Sequence, residues 1–347
     1  VKMGHEMGYI DVGGGLGVDY DGSRTAFESS TNYTLQEYAR DIVWNIMDVC
    51  DSEKVSHPTI ISESGRALVA HHSVLIVEAF GSIEKDRPLI KVEPEDRDPK
   101  LLTDILDIHK NLTPQNRMES LHDAQQLKEQ AHSMFDLGYL ELESKAKIET
   151  IFWQIAQRVV EFCAGMKYVP DEVKDLETAL GDQYVCNFSV FQSLLDHWAL
   201  GQLFPVMPIH HLDKYPERQG TLVDITCDSD GKVSKFIDLQ DVKETLPLHK
   251  LVPGEPYYIG FFLIGAYQDI MGDLHNLFGR VNEAHVFLDE DEESGWYIEE
   301  TIDGSTIGEV LSLTQWDQNE LVRLVKAQVD AAIKGDRLKP TEAMRLL

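Results

Sequence analysis

Basic residues are scarce in this 347-residue chain: 31 Lys and Arg stand against 60 Asp and Glu, a net charge of −29. The clustered cations that would displace counterions from a phosphate backbone are missing, which argues against nucleic acid as a partner. The acidic balance would attract a cationic small molecule, and it equally serves plain solubility. Cysteine is sparse as well. Cys50, Cys163, Cys186 and Cys227 lie far apart with no C-x-x-C, a pattern of reduced thiols and not of a disulfide framework or zinc site. No apolar run approaches the roughly 18 to 20 residues that span a bilayer. No signal peptide is read at the start, so a soluble, cytoplasmic protein without membrane contact is expected. The chain also lacks Gly-Lys-Ser/Thr, which excludes a P-loop.

What is present begins with YIDVGGGLGVDYDG, residues 9–22. Tyr9, Ile10 and Val12 read as a short strand running into three glycines, Gly13, Gly14 and Gly15. The spacing fails the dinucleotide fingerprint, because the last glycine of G-x-G-x-x-G would fall on Val18 or Tyr20. Two readings stay open: a tight structural turn, and a backbone cup for an anion, most simply a phosphate, at the end of a parallel strand.

With 43% hydrophobic residues, the chain can bury a substantial core and by length should hold about two domains. Three textures follow one another before a helical end. Residues 1–82 alternate strand and helix: after the glycine strand comes LQEYARDIVWNIMDVC with Leu35, Tyr38, Ile42 and Ile46 at helical spacing, then PTIIS and an apolar run from Ala67 to Phe80. Residues 83–180 hold a charged, proline-punctuated linker and two long helical patterns. In one, Leu121, Ala124, Leu127, Ala131, Met134 and Phe135 share a face, and Gly138 suits the C-terminal cap. In the other, Ile148, Ile151, Phe152, Ile155 and Val159 do. The two are expected to pair. Residues 181–304 read as strands and hairpins in YVCNFSVF, TLVDITCDSDGKVSKFID, YYIGFFLIGAYQ and EAHVFLDEDEESGWYIEE, and residues 305–347 read as helical.

Chemistry-bearing residues gather at expected strand ends. In PTIISESGRALVA a strand stops at Ser62, followed by Glu63, Gly65 and Arg66. An incidental ion pair on a turn is one reading. Beside a phosphate cup, Arg66 could pair with the phosphate and Glu63 could hold a cationic ring nitrogen. In VDITCDSDGKV, Val223 and Ile225 alternate with polar residues up to Cys227, and Asp228, Ser229, Asp230 and Gly231 suit a hairpin turn. A thiol there could donate a proton, and Asp228 could take a guanidinium. GFFLIGAYQDIMG is expected to be a buried strand ending at Gly265, Ala266 and Tyr267, whose hydroxyl could add a donor to a phosphate. The pairs His71–His72 and His210–His211 read as strand neighbours facing opposite ways, and LDEDEESG at 288–295 lacks calcium-loop spacing, so no metal site is expected.

Taken together, GGGLGVDYDG, ESGRALVAHH, CDSDG and IGAYQ, with NFSVFQS and GFFLIGAYQDIMGDLHNLFG, resemble the pyridoxal-phosphate decarboxylases of the ornithine, diaminopimelate and arginine group, and within it the bacterial biosynthetic arginine decarboxylases. The similarity covers nearly the whole chain. The resemblance implies an α/β plus β fold: the C-terminal part of a pyridoxal-phosphate-binding (β/α)8 barrel in 1–82, a linker and helical insertion in 83–180, a β-barrel or sandwich domain in 181–304, and C-terminal helices in 305–347. It implies decarboxylation of L-arginine to agmatine, a polyamine precursor, with pyridoxal 5′-phosphate and with magnesium possible, in a homodimer or higher homo-oligomer whose active site is shared between chains. By that resemblance Gly13, Gly14, Gly15, Gly65, Arg66 and Tyr267 hold the cofactor, with Glu63 at its ring nitrogen. Cys227 is the proton donor, and Asp228 and Asp230 bind the substrate.

Two departures accompany the match. The lysine that carries the family's cofactor, and the histidine that stacks on its ring, sit in motifs not found in this chain. A complete barrel needs about 200 residues or more, so this chain is expected to be the C-terminal part of a longer enzyme. The N-D-G turn of ornithine decarboxylases is replaced by Asn187, Phe188 and Ser189. Diaminopimelate or ornithine decarboxylase and a non-catalytic regulatory homologue are the alternatives.

Overall fold

A computed structural model describes residues 3–85, 91–95, 98–163, 166, 168–238 and 242–346. Residues 86–90, 96 and 97 of the charged linker lie outside the described residues. The first segment is a β/α unit. Strands β1 (Tyr9–Asp11) and β2 (Thr59–Ile61) pair in parallel, joined by helix α1 (Leu35–Glu53), since parallel neighbours require a crossover of this kind. Thr34 starts α1 with a capping box: its hydroxyl accepts from the Glu37 amide while Glu37 reaches back to the Thr34 amide. The expected stripe of α1 is only partly covered, with Tyr38, Ile42 and Ile46 half-buried and Leu35 exposed.

The apolar run 67–80 is not one element. It divides into α2 (Gly65–Val69), a 3-10 turn at Ala70–His72, and β3 (Leu75–Ile83). His71 and His72 therefore sit on a helical turn and not on a strand. An apolar run without clean periodicity does not discriminate the two structures.

Helices α3 (Lys100–Asn111), α4 (Arg117–Asp136), α5 (Leu142–Cys163) and α6 (Asp171–Leu180) form a bundle with its own core. Ile148, Ile155 and Val159 of α5 are fully buried there beside Leu102, Ile105 and Ala124. The end of α4 is a Schellman motif. Gly138, at φ +78°, donates to the Phe135 carbonyl and Tyr139 to that of Met134.

The remaining strands build a mixed seven-stranded sheet in the order β10-β6-β4-β3-β11-β5, with β7 beside β6. Its members are β3, β4 (Asp182–Cys186), β5 (Val206–Pro208), β6 (Arg218–Val223), β7 (Lys232–Val233), β10 (Leu246–Leu248) and β11 (Tyr258–Phe261). β3, read from sequence with the first segment, thus lies between β4 and β11. β8 (Phe236–Ile237) and β9 (Val242–Lys243) form a separate pair. The sheet core gathers Val77, Tyr184, Phe188, Leu222, Ile259 and Phe261.

Three expected strands end early, each for a local reason. NFSVF turns into α7 (Val190–Ser193), capped by the Ser189 hydroxyl, followed by α8 (Leu195–Leu200). β6 stops at Val223 because the buried Asp224 carboxylate accepts from the amides of Val190 (2.9 Å) and Thr226 (2.8 Å), turning the chain. The hairpin to β7 still encloses CDSDG. β11 stops at Phe261, since Leu263 (φ +61°) and Tyr267 (φ +70°) leave the extended region. The hairpin β12 (Glu283–Leu288) and β13 (Trp296–Ile302) and the helices α9 (Ile307–Leu313), α10 (Gln318–Lys334) and α11 (Pro340–Leu346) complete the chain. Among the described residues no helix is long and apolar enough to cross a membrane.

Candidate functional site

The glycine loop is pinned from one side. Gly13 (φ +73°) and Gly15 (φ +98°) adopt backbone that side chains resist. The Gly13 amide donates to Asp11 Oδ1 at 2.8 Å, and its carbonyl accepts from the Glu63 amide at 2.9 Å, stitching the loop to the end of β2. Tyr33 accepts from the Gly17 amide and donates to the Gly15 carbonyl, both at 2.9 Å, while Tyr38 donates to the Gly14 carbonyl at 3.3 Å. With the carbonyls so engaged, the amides of Gly14 and Gly15 meet no protein acceptor among the described residues. A Cβ at Gly15 would project into open space, and one at Gly14 would press on the Glu63 carbonyl at 3.2 Å.

An open cavity of about 240 Å³ lies over this loop. Gly14, Gly15, Glu63, Gly65, Arg66 and Tyr267 all line it, together with Leu16 and Gly17. Three separated stretches of sequence, 14–17 and 63–66 in the first segment and Tyr267 after β11, thus meet at one cavity. Gly13 does not line it, and its amide is spent on Asp11.

Arg66 is the cation of the cavity. Its Nη1 donates to the Tyr20 hydroxyl at 3.0 Å and its Nη2 to Asp196 Oδ2 at 3.2 Å, while its Cζ lies 4.7 Å from the centre of the Tyr267 ring. Burial disfavours the charged guanidinium, but the hydrogen bonds to Tyr20 and Asp196 outweigh it and raise its pKa, so the charge is held. Burial raises the pKa of Tyr20 in spite of the neighbouring cation, so its hydroxyl keeps its proton. Asp196 and Gln268 stand behind Arg66, almost fully buried.

A second cluster forms on the β6–β7 hairpin. Cys227 is the one exposed cysteine, with Cys50, Cys163 and Cys186 buried and all four free. Burial, then the nearby Asp224, pushes the Cys186 thiol up to about 12, which leaves it inert. The Cys227 Sγ is 3.7 Å from Asn276 Oδ1. Asp228 approaches His275 Nε2 at 3.5 Å, and Asp230 accepts from Trp198 Nε1 at 3.5 Å. His275 and Trp198 pack on Phe191, with ring centres 4.4 and 5.1 Å away. Cys227, Asp228 and Asp230 do not line the glycine cavity.

Asp196, Gln268, Tyr20, His275 and Asn276 are not singled out by any motif of the sequence. Asp196 sits in LLDHW, which carries no motif. The one sequence signal at Asn276 (φ +56°) is the tolerance of asparagine for left-handed backbone. Asn187 is structural: its Oδ1 accepts from the Glu78 amide of β3 at 2.8 Å. His210 and His211 pack against Tyr258 and Tyr257, and among the described residues no three His, Cys, Asp or Glu gather around a common point.

Comparison with known proteins falls on the same segments. Residues 1–70 match the pyridoxal-dependent decarboxylase, pyridoxal binding domain, and residues 95–177 match the arginine decarboxylase helical bundle domain. The chain is 44% identical over 351 residues to the biosynthetic arginine decarboxylase of Gloeobacter violaceus, covering 100% of this chain and 54% of that protein. It is 46% identical to that of Deinococcus radiodurans, covering 100% and 52%. The crystal structure of the biosynthetic arginine decarboxylase of Campylobacter jejuni superposes with a TM-score of 0.79 at 32% identity, over 97% of this chain and 54% of that one. The chain spans about half the length of the curated relatives it matches. The fold is that of these enzymes, part of a cofactor-binding barrel with a helical insertion and a β domain. Over its whole length the chain is similar to the biosynthetic arginine decarboxylases, a group of pyridoxal-dependent decarboxylases.

Proposed function

We propose that this chain supplies the phosphate cup and the proton donor of an enzyme that decarboxylates L-arginine to agmatine and carbon dioxide. The observation that carries it is the convergence of Gly14, Gly15, Arg66, Tyr267 and Glu63 on one cavity. The donor set fits pyridoxal 5′-phosphate: free amides and a charge-held guanidinium suit its phosphate, and a carboxylate suits its ring nitrogen. When bound, pyridoxal phosphate supplies an electron sink for the pair left behind as the substrate loses carbon dioxide.

Each residue then has a role. Arg66, the Gly14 and Gly15 amides and the Tyr267 hydroxyl hold the phosphate. Glu63 keeps a proton on the pyridine nitrogen by opposing its charge, an electrostatic contribution on the order of a few kcal/mol. Cys227 gives its thiol proton to the substrate α-carbon after carbon dioxide has left. Asp228 and Asp230 take the guanidinium of arginine, which also accords with the acidic net charge of −29.

Cys227 and Asp228 stand apart from the glycine cavity of their own chain, which favours a homodimer, or a larger homo-oligomer, in which each site uses the hairpin of a partner subunit. We also propose the domain division read from sequence, 1–82, 83–180, 181–304 and 305–347, changed at one point, since β3 (Leu75–Ile83) pairs into the sheet of the β domain and the first segment then ends at about residue 74, and a cytoplasmic enzyme. The test is carbon dioxide release by the full-length protein from arginine, ornithine and lysine. Strong preference for arginine is expected, and equal activity on all three would defeat the assignment.

A further inference from the structure

Arg66 reaches the cavity from α2, and one of the two groups that hold its guanidinium comes from the β domain. Asp196, the second residue of α8, is 5% exposed, and its Oδ2 receives both Arg66 Nη2 (3.2 Å) and Gln268 Nε2 (2.9 Å). Gln268, 1% exposed, returns the contact: its Oε1 accepts from the Asp196 amide at 3.0 Å, and its Nε2 also donates to the Ala266 carbonyl at 2.8 Å. The carboxylate is therefore gripped through its backbone and its side chain by the residue next to Tyr267. On the other side of the guanidinium, Tyr20 accepts from Nη1, and its ring is wedged edge-on against Phe204 at 5.4 Å.

A guanidinium has five N–H donors in one plane. Two are committed to Tyr20 and Asp196, which fixes the plane and leaves the others for an anion in the cavity that Arg66 lines. A carboxylate this deeply buried is costly to keep unless it is paired and hydrogen-bonded on all sides. An ordinary surface ion pair would contribute little and would not require such a frame.

We propose that Asp196, locked by Gln268, is a positioning residue that sets the guanidinium of Arg66 for the phosphate of the cofactor, and so couples cofactor binding in the barrel segment to the β domain. This rests on the pyridoxal-phosphate reading of the cavity. The side-chain hydrogen bonds of Asp196 and Gln268 run to Arg66, to each other and to the Ala266 carbonyl, and among the described residues none runs to Glu63 or Cys227, so their effect should be confined to the phosphate.

The test is an absorbance titration of the full-length protein with pyridoxal 5′-phosphate and, separately, with pyridoxal, which lacks the phosphate. Asp196→Asn is expected to weaken pyridoxal 5′-phosphate about tenfold, the scale of one charge-assisted hydrogen bond, and to leave pyridoxal unchanged. Combined with Arg66→Gln, it should add no further loss, because the two residues act as one unit. Gln268→Met keeps the volume and frees Asp196, and the same selective weakening is expected. Unchanged affinity in both single variants, or equal loss for pyridoxal and its phosphate, overturns the positioning role. If the wild-type protein itself binds pyridoxal as tightly as the phosphate, the cofactor reading falls first.

Discussion

Gly265 is where the β domain touches the helical turn behind Arg66. Its amide donates to the Ala70 carbonyl at 3.1 Å, and a Cβ placed there would overlap the Val69 carbonyl oxygen and the His72 ring. One obstacle is backbone, so no rotamer change relieves it. In Gly265→Ala the chain after β11 must withdraw by about 1 Å or more to restore ordinary contact distances. That move lengthens or breaks the hydrogen bond to Ala70, a loss of about 1 kcal/mol. It also imposes overpacking strain of about 1 to 3 kcal/mol. Together the substitution should cost about 2 to 4 kcal/mol. Tyr267 and Gln268 follow within three residues, so the ring under Arg66 and the lock on Asp196 move with it. Urea denaturation of the full-length protein should show a lower midpoint at unchanged slope, and titration with pyridoxal 5′-phosphate should show weaker binding. Wild-type stability with wild-type cofactor affinity would refute the close-approach argument.

Further outcomes follow from the same structure. Ile155→Ala, at a fully buried position of the helical bundle, should destabilise by about 2 to 5 kcal/mol as read by denaturation, with cofactor affinity retained; loss below about 1 kcal/mol would mean the α5 stripe is not the core. Asp98 is held down to about 2, burial being outweighed by hydrogen bonds from Lys147 (2.8 Å), Ser144 (2.7 Å) and the Glu95 amide (2.8 Å). A depressed carboxylate stabilises above its unfolded pKa and loses that contribution as pH falls through its folded value. Melting of wild type and Asp98→Asn should therefore differ near neutrality and converge as pH drops from about 4 to about 2; a constant gap would contradict the ionic tether. Cys227→Ala should still bind cofactor and release carbon dioxide but give little agmatine, and a normal agmatine yield would remove Cys227 from the proton-donor role.

The long elements are legible in the sequence through their periodicity. The stripe Ile148, Ile151, Phe152, Ile155 and Val159 is the buried face of α5, and Gly138 closes α4, because a helix this long repeats its signal over several turns. The EAHVFL and WYIEETI segments, read as strands, form a hairpin. Short apolar runs were ambiguous in principle. Ala67 to Phe80 holds a helix, a 3-10 turn and a strand, and YIGFFLIGAY breaks after four residues because Leu263 and Tyr267, neither of them a glycine, take left-handed backbone.

At the site, glycines and isolated charges were visible, but their alliances were not. Glu63, Arg66 and Tyr267 share a cavity with Gly14 and Gly15. Gly13 is excluded from it by a side chain only two residues upstream, since Asp11 takes its amide. Asp196 meets Arg66 across 130 residues of sequence. No spacing rule reaches that far, because such a contact is set by where the fold brings α8 and α2 together and not by local chain geometry.

If the Gly14–Gly15 loop and Arg66 grip the phosphate of pyridoxal 5′-phosphate, as proposed, a crystal structure of the full-length protein grown with that compound shows it directly. Phosphate density within hydrogen-bonding distance of the Gly14 and Gly15 amides and the Arg66 guanidinium is the expected result. A phosphate bound elsewhere, with this cavity holding only solvent, would contradict it.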